Sequence, residues 1–284
     1  MERLLIVDGN NLLFQMFYGM PSKIYNKSGQ TIHATIGFVS AMQRLIKLVD
    51  ASFVVVVFDG DVNQERIDEY KDYKANRVNN WDELPNDEVP FNEEENIIKC
   101  LNFMGIKVLK SINMEADDLI ASLTLSNYED YKIYISSNDS DFYQLINDNV
   151  AIIKYKGKDS KIIDKKDFFN IFDFDSSKYV FYKSLVGDSA DNIIGISGIG
   201  KVRATKIVSC CDSFEKLLEK KNELLPKKIA SSLEDEISKF LTNKKIITLT
   251  QSPIINYDIR EFGYNKDIIS LSNSQILTIN RIFD

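Results

Sequence analysis

Short apolar runs alternate with longer segments of helical spacing along the first half of the chain. Five runs, each bounded by polar residues, have the length and composition of buried strands: residues 4–7, 53–58, 106–109, 132–135 and 150–153. Three segments with apolar positions three and four apart are predicted helices: residues 32–49, 93–104 and 115–125. This alternation predicts an α/β fold with a mainly parallel central sheet flanked by helices.

The strand pattern fades from about residue 164, and the remaining apolar positions have helical spacing. The predicted helices are residues 181–186, 204–208, 214–218 and 229–249. We therefore expect an α/β domain at residues 1–186 and a helical C-terminal region at residues 187–284. Residues 70–92 are polar, contain Pro85 and Pro90, and exceed the length of an ordinary connection, so they are expected to form a functional loop or lid.

Composition excludes several kinds of protein. The 284 residues are 44% hydrophobic, which suits a soluble protein with a large core, and no run reaches the ~20 apolar residues of a membrane span. The three cysteines lack C-x-x-C spacing, which favours a reducing, cytoplasmic compartment over a disulfide framework or a zinc site. With a single histidine, a Ser-His-Asp hydrolase or a poly-His metal site is not expected.

Acidic residues follow the predicted strands. Asp8 ends the first strand, Asp59 follows the second, and Asp139 and Asp141 follow the fourth. The carboxyl ends of parallel strands lie at one edge of a sheet, so these carboxylates should meet there. Further acids open the helix after the third strand or begin the C-terminal region: Glu115, Asp117, Asp118, Asp188 and Asp191.

So many carboxylates at one edge would repel one another, and bound divalent cations are the simplest remedy. Oxygen ligands favour Mg²⁺ or Mn²⁺ over zinc, and two such ions can support in-line displacement at a phosphodiester. Taken singly, each Asp is more often a turn former or a helix N-cap, by roughly three to one. Their joint occurrence favours the metal hypothesis.

Glycines at Gly195, Gly198 and Gly200 separate two predicted helices, and Lys201, Arg203 and Lys206 follow. Such a hairpin exposes backbone N–H groups that bind phosphate, and the basic residues suit contact with a nucleic-acid backbone. A helix C-cap with a tight turn would look alike in about half of cases. The aromatic residues Phe17, Tyr18 and Trp81 are possible stacking partners for unpaired bases, although most aromatic residues lie in cores.

Together these residues resemble the 5′ nuclease family, which includes flap endonucleases, 5′-3′ exonucleases and the N-terminal nuclease domain of bacterial DNA polymerase I. Six motifs in order carry the resemblance: LLIVDGNNLLF at 4–14, VVVVFDGD at 54–61, YKANR at 73–77, MEADDLIASL at 114–123, SNDSDFYQLI at 137–146 and GDSADNIIGISGIG at 187–200. The resemblance implies a PIN-like nuclease fold with a helix-hairpin-helix DNA-binding motif at about residues 187–210.

The resemblance also implies site residues and cofactors. Asp8, Asp59, Glu115 and Asp117 would hold a first Mg²⁺ or Mn²⁺ ion. Asp139, Asp141, Asp188 and Asp191 would serve a second ion, with Asp118 supporting the cluster. Lys74 and Arg77 would act on the scissile phosphate, with Asp8 and Asp59 counted beside them as catalytic. Residues 70–92 would form the helical arch, and K⁺ is a possible ligand of the helix-hairpin-helix.

Two positions depart from the family pattern. Gln15 stands where many members carry an arginine, and the hairpin reads Gly-Ile-Gly-Lys-Val-Arg-Ala, with its positive charge displaced by one residue. The expected activity is that of a stand-alone, monomeric 5′ nuclease in replication or repair. It would act on DNA flaps, nicks and 5′ ends, with RNA–DNA hybrid as a possible substrate and a DNA polymerase as a possible partner.

Two other functions are weighed against this one. The sequence FDGDV at 58–62 imitates the D-x-D motif of haloacid-dehalogenase-type phosphatases, but that interpretation leaves Asp8, Glu115 and Asp139 without a role. A non-catalytic DNA-junction binder would have no need of so many acids. The net charge of −7 at first argues against DNA. Assigning nine acids to metals leaves 42 − 9 = 33 acidic against 35 basic residues, which is compatible with DNA binding.

Overall fold

A six-stranded sheet forms the centre of the protein. The computed structural model describes residues 1–60, 74, 81–249 and 257–284. The strands are β1 (Arg3–Asp8), β2 (Phe53–Phe58), β3 (Lys107–Lys110), β4 (Lys132–Ser136), β5 (Val150–Lys154) and β6 (Lys161–Ile163). Their order is β3-β2-β1-β4-β5-β6, and all pairs are parallel except β5 with β6. The mainly parallel sheet is confirmed; the short antiparallel β6 was not predicted.

Both faces of the sheet are covered by helices, as the continuous apolar runs require. On one face Leu5, Val7 and Val56 join a core with α1 (Gly9–Gly19), α2 (His33–Val49) and α3 (Glu94–Phe103). On the other, Leu4, Ile6 and Val55 join a core with α4 (Ala116–Asn127) and the helices that follow β6. The side chains of one strand thus alternate between two separate cores.

The strand order reverses direction at β1. The chain passes from β1 to β2 and β3 on one side, and β4 then pairs with the other side of β1. Ligands bind outside the carboxyl ends of strands at such a switch point. Asp8 ends β1, and Asp139 lies three residues after β4, so both predicted site residues flank the crevice that this topology creates.

The chain after β6 is mainly helical. Its helices are α5 (Lys165–Phe172), α6 (Tyr179–Val186), α7 (Lys201–Cys210), α8 (Phe214–Leu224), α9 (Lys227–Ser232), α10 (Ile237–Ile247), α11 (Lys266–Ile269) and α12 (Asn273–Ile279). A two-stranded hairpin, β7 (Gly187–Asp188) with β8 (Ile193–Ile194), follows α6. The helix expected at residues 229–249 is instead α9 and α10 with a 3₁₀ turn at Glu234–Glu236 between them. The apolar spacing runs through Leu233 into α10 and therefore hides the break.

Within residues 70–92, three 3₁₀ turns are described, at Trp81–Glu83, Asn86–Glu88 and Pro90–Glu93. Residues 70–73 and 75–80 of that segment, Arg77 among them, lie outside the described residues. The expected arch therefore stays a prediction.

The last described stretch, residues 257–284, returns to the α/β body. The Tyr264 hydroxyl donates to the Ala51 carbonyl at 2.8 Å, and Asn273 Nδ2 donates to the Ile36 carbonyl at 3.0 Å. Gln43 Nε2 on α2 donates to the carbonyls of Ile269 and Leu271. The domain division expected between residues 186 and 187 stays a prediction. Among the helices of the described ranges, none has the length and apolar character needed to cross a bilayer.

Candidate functional site

Five of the predicted acids line one cleft of about 450 Å³ at the carboxyl edge of the sheet. This first carboxylate group consists of Asp8, Asp59, Glu115, Asp117 and Asp139. Lys74, Asn10 and Asn11 line the same cleft, as do three aromatic side chains. The structure thus brings together residues from three strand ends and one helix start.

Asp8 is the most constrained member of the first carboxylate group. It caps α1, where its Oδ1 accepts from the Asn11 N–H at 3.0 Å, and its Oδ2 accepts from the Ser137 hydroxyl at 2.8 Å. Its side chain is buried, and burial raises its pKa to about 7, with the charges of Asp59 and Asp139 adding to the rise. The ionised carboxylate is therefore costly unless a cation approaches it.

Asp59, Glu115 and Asp117 lie at or against the start of α4. The Asp59 carboxylate accepts from the Ala116 N–H at 2.9 Å, which ties the end of β2 to the first turn of that helix. Glu115 precedes the helix and pairs with the Lys74 ammonium at 2.7 Å. Burial, together with the charges of Asp8 and Asp139, raises the pKa of Asp117 well above its ordinary value. The first carboxylate group therefore carries an excess of negative charge that is shielded from solvent.

Three other predicted carboxylates form a second carboxylate group. Single oxygens of Asp141, Asp188 and Asp191 lie within 4.8 Å of one another. Asp141 begins the 3₁₀ turn Asp141–Leu145, whereas Asp188 and Asp191 belong to the β7–β8 hairpin. Asp139 joins the two groups, because its Oδ1 accepts from the Asp141 N–H at 2.8 Å while its side chain lines the first cleft.

Lys183 of α6 lies inside the second carboxylate group. Its Nζ is 3.0 Å from Asp141 Oδ1, as an ion pair without hydrogen-bond alignment, and it donates to Asp188 Oδ2. Burial alone would lower the pKa of Lys183, but Asp141 and Asp188 hold it above its ordinary value. Burial raises the pKa of Asp141 to about 7. It would also raise that of Asp188, but the bond from Lys183 holds it below its usual range.

Lys74 contacts both groups. Its ammonium pairs with Glu115, and its backbone N–H donates to the Asp191 carbonyl at 3.0 Å. Its φ of 55° is in the left-handed region, an uncommon conformation for lysine. The backbone bond therefore fixes Lys74 to the hairpin of the second group while its side chain faces the first.

Asp118 is placed differently from its neighbour Asp117. It lies about 100° further around α4, and only 2% of it is exposed, so it faces the protein interior. Its expected supporting role stays a prediction.

The glycine hairpin, residues 195–200, joins β8 to α7. A Cβ on Gly195 would lie 2.2 Å from the Val186 carbonyl oxygen, and Gly198 has a φ of +77°, so both positions require glycine. Gly200 caps α7, and the Arg203 guanidinium folds back to donate to the Gly198 carbonyl. Lys201 and Val202 at the start of α7 are exposed. The helix-hairpin-helix assignment stays a prediction.

Several residues that hold the site together were not predicted. Asn10 Oδ1 accepts from the Asp59 N–H at 2.8 Å, and Asn11 Oδ1 accepts from the Asn138 N–H at 3.0 Å. Gln15 Nε2 donates to the Tyr155 carbonyl at 2.6 Å, and its Oε1 accepts from Asn138 Nδ2 at 3.2 Å. These amide residues lie within or beside the motifs, and that position is the signal in the sequence that could have identified them. Nothing in the local sequence singles out Lys183.

Lys154 is a further unpredicted contact. Its Nζ donates to the Asp139 carbonyl at 3.0 Å and lies 4.6 Å from the centre of the Tyr143 ring. Burial lowers its pKa to about 8. The partly buried Lys154 ammonium therefore holds the backbone of Asp139 in place.

Two family profiles together match nearly the whole chain. Residues 3–173 match the 5′-3′ exonuclease, N-terminal resolvase-like domain, and residues 174–268 match the 5′-3′ exonuclease, C-terminal SAM fold.

Two curated proteins are similar to this chain. A 5′-3′ exonuclease of Mycoplasmopsis pulmonis is 30% identical over 260 residues, covering 88% of this chain and 81% of that protein. DNA polymerase I of Deinococcus radiodurans is 31% identical over 220 residues, covering 77% of this chain. The chain spans 22% of that polymerase's length.

Among solved structures, the fold is similar to a bacteriophage T5 flap endonuclease in complex with DNA and metal ions. The TM-score is 0.72 at 21% identity, with 99% of this chain and 100% of that chain covered. At this identity the likeness establishes the fold. The sequence matches establish more: the chain belongs to the 5′-3′ exonuclease family.

Proposed function

We propose that this protein is a divalent-metal-dependent 5′ nuclease that hydrolyses phosphodiester bonds at DNA 5′ flaps and 5′ ends. The observation that carries the proposal is the pair of carboxylate groups at the switch point of the sheet, connected by Asp139 and Lys74. Membership of the 5′-3′ exonuclease family supports the reaction class, and the M. pulmonis relative bears that name.

The donor chemistry fits two hard cations. The first carboxylate group would hold one Mg²⁺ or Mn²⁺ ion through Asp8, Asp59, Glu115 and Asp117, with Asp139 at its edge. The second would hold another through Asp141, Asp188 and Asp191. Bound ions of this kind lower the pKa of water and neutralise charge on a phosphodiester. The raised pKa values of Asp8, Asp117 and Asp141 support the proposal, because burial makes each ionised carboxylate costly and a bound cation would offset that cost.

Residues of the chain would position the substrate around these ions. Lys74 is poised between the groups, where an ammonium can stabilise charge on the scissile phosphate, with Arg77 proposed as its partner. The hairpin around Gly198, with Lys201 and Arg203, would contact the phosphate backbone of the duplex. The Lys74 N–H donates to the Asp191 carbonyl in the β7–β8 hairpin, which directly precedes the glycine hairpin, so the residues proposed for phosphate positioning and for duplex binding are connected.

An aromatic wall suits a nucleic-acid substrate. Phe14, Trp81 and Phe91 line the first cleft with ring centroids 5.3 to 5.8 Å apart. All three are half-buried, so each offers part of its surface to the cleft. Aromatic faces beside a phosphate site bind unpaired bases by stacking. A phosphatase for small substrates gains nothing from such a wall.

Finer points belong to the same proposal. Residues 70–92 would form an arch that admits a single-stranded 5′ end, and K⁺ would bind at the helix-hairpin-helix. The protein would act as a cytoplasmic monomer in replication or repair, alongside a DNA polymerase. RNA–DNA hybrid is a possible further substrate.

A metal titration over a substrate panel tests the proposal. Purified protein is incubated with 5′-labelled flap, nicked and blunt DNA at increasing Mg²⁺ or Mn²⁺, and product lengths are measured. We expect metal-dependent cleavage near the flap junction or release of short 5′ products. Asp117→Asn should remove cleavage, and Asp130→Asn, at an exposed acid, should not. Hydrolysis of p-nitrophenyl phosphate without DNA cleavage would instead favour a phosphatase, and tight flap binding without cleavage would favour a junction binder.

A further inference from the structure

Lys183 lies where a cation is needed, among the second carboxylate group. Its ammonium contacts Asp141 and Asp188, and its side chain is only 8% exposed. We propose that Lys183 is a built-in counter-cation that competes with the second divalent ion, so that the two ions bind with unequal affinity. The inference rests on the proposed metal function of both groups and concerns the order in which they fill.

The first group provides the contrast. There the Lys74 ammonium pairs with Glu115, while the buried Asp8 carboxylate accepts from two neutral donors, the Asn11 N–H and the Ser137 hydroxyl. In the second group the Lys183 ammonium contacts two of the three acids. A divalent ion entering the first group relieves repulsion. One entering the second must first displace a bound ammonium.

The structure offers a place for the displaced side chain. Lys183 also lines a neighbouring cleft of about 560 Å³, together with Tyr143, Tyr182 and Lys201. Its Nζ already lies 3.3 Å from the Ser140 hydroxyl. Rotation toward this cleft would take the ammonium away from Asp141 and bring it, still partly enclosed by the cleft, beside the glycine hairpin. A DNA phosphate arriving there would supply the new anionic partner.

Coupling to DNA follows from this exchange of partners. Without DNA, displacing Lys183 leaves a partly buried ammonium with little compensation, which costs free energy. With DNA, the phosphate takes the ammonium while the second ion takes the carboxylates. Binding of the second ion and of substrate should therefore be cooperative, because each removes the cost of the other.

Metal binding in the absence of DNA tests the inference without using activity. Mn²⁺ is titrated into metal-free protein, and bound ions are counted by calorimetry and by the electron paramagnetic resonance of free Mn²⁺. We expect one stronger and one weaker class in the wild-type protein. Lys183→Met should tighten the weaker class by at least about tenfold and leave the stronger class within about twofold. Lys183→Gln, which keeps a donor without the charge, gives the same comparison if the Met variant does not fold.

Two matched variants separate occupancy from general charge. Lys201→Met removes an equal charge from the wall of the same neighbouring cleft, and Lys183→Arg keeps a cation in the group. Both should leave the weaker class near its wild-type affinity. An unchanged weaker class in Lys183→Met, or equal tightening in Lys201→Met, overturns the inference while two bound ions still support the proposed function. A wild-type protein that binds no Mn²⁺ and cleaves no DNA refutes the proposed function itself.

Discussion

The two carboxylate groups solve the same electrostatic problem in different ways. The first is held by backbone amides and neutral side chains, such as the Asn11 N–H and the Ser137 hydroxyl on Asp8, and its cation among the described residues is Lys74, which pairs with Glu115. The second contains its own cation, Lys183. Neutral donors orient an acid but do not cancel its charge, so the first group keeps a stronger demand for a metal ion.

The difference also separates rigid parts from adjustable parts. The first group rests on ends of β1 and β2 and on the start of α4, elements whose cores are fully buried. The second is assembled from a short 3₁₀ turn and a hairpin with strands of two residues each, and its charge is partly balanced by the long side chain of Lys183. We expect the first group to determine whether a metal is bound, and the second to determine when the site is complete.

Of the substitutions that test this difference, Asp8→Asn should have the largest effect. Asparagine keeps an acceptor oxygen for the Asn11 N–H, and its amide NH₂ can donate to the Ser137 hydroxyl oxygen, but the charge that a cation needs is removed. We expect the single-turnover cleavage rate in Mg²⁺ to fall on the order of a thousandfold, with flap affinity in Ca²⁺ little changed. Rapid-quench cleavage and fluorescence anisotropy measure the two quantities. A rate within tenfold of wild type would remove Asp8 from the metal site.

The same variant should be more stable than the wild type when no metal is present. Burial raises the pKa of Asp8 to about 7, so the ionised form destabilises the folded state above that pH, and the penalty shrinks at lower pH as Asp8 takes up a proton. In EDTA above neutral pH we expect Asp8→Asn to raise the melting temperature by roughly 3–6 °C. Near pH 5 or with Mg²⁺ added, differential scanning fluorimetry should find this advantage reduced.

Lys74→Met tests the role of the ammonium that pairs with Glu115 in the first carboxylate group. Its backbone bond to the Asp191 carbonyl survives the change, so the segment should stay in place while the ammonium is lost. We expect single-turnover cleavage to fall by about a hundredfold and flap affinity by less than about threefold. Lys110→Met is the matched control, because Lys110 forms a similar ion pair with Glu94 at 2.6 Å outside the lining of the first cleft. Equal losses in rate and affinity would make Lys74 a binding residue only.

The meeting of the first group's acids at one edge of the sheet could be predicted from the sequence for a physical reason. These acids follow strands of unbroken apolar character, and parallel topology then fixes where the strand ends meet. The sequence also grouped Asp141, Asp188 and Asp191 and counted Asp139 with them for a second ion, and this assignment stays a prediction. The Asp139 side chain lines the first cleft, and only its bond to the Asp141 N–H reaches toward the second group. That bond depends on local turn geometry that a one-dimensional pattern does not contain.

The position of Lys183 is harder still to predict from the sequence. It stands in an amphipathic helix among Tyr182, Ser184 and Leu185, where a lysine ordinarily faces solvent. Its burial results from the packing of α6 beside the Asp141 turn, which is a tertiary contact. The buried contact between His33 Nδ1 and Glu93 Oε1, 3.2 Å apart, is similar, because it also joins two segments distant in sequence. Spacing along the chain alone gives no signal for such buried contacts.

Gln15→Leu should have the smallest effect of these changes, and it tests the joint between the groups. Gln15 bridges the Tyr155 carbonyl after β5 and the Asn138 side chain beside Asp139, so its loss should loosen the loop that connects both groups. The Asn138 N–H stays bound to Asn11, which limits the damage. We expect the cleavage rate to fall about three- to tenfold and the free energy of unfolding to fall by about 1 kcal/mol.

Gln43→Leu is the matched control, because Gln43 on α2 forms a similar amide bridge to the carbonyls of Ile269 and Leu271. It should lower stability by a comparable amount and leave the rate unchanged. Equal rates in the two variants would mean that the Asp139 loop is held without Gln15, by the Lys154 and Asn11 contacts.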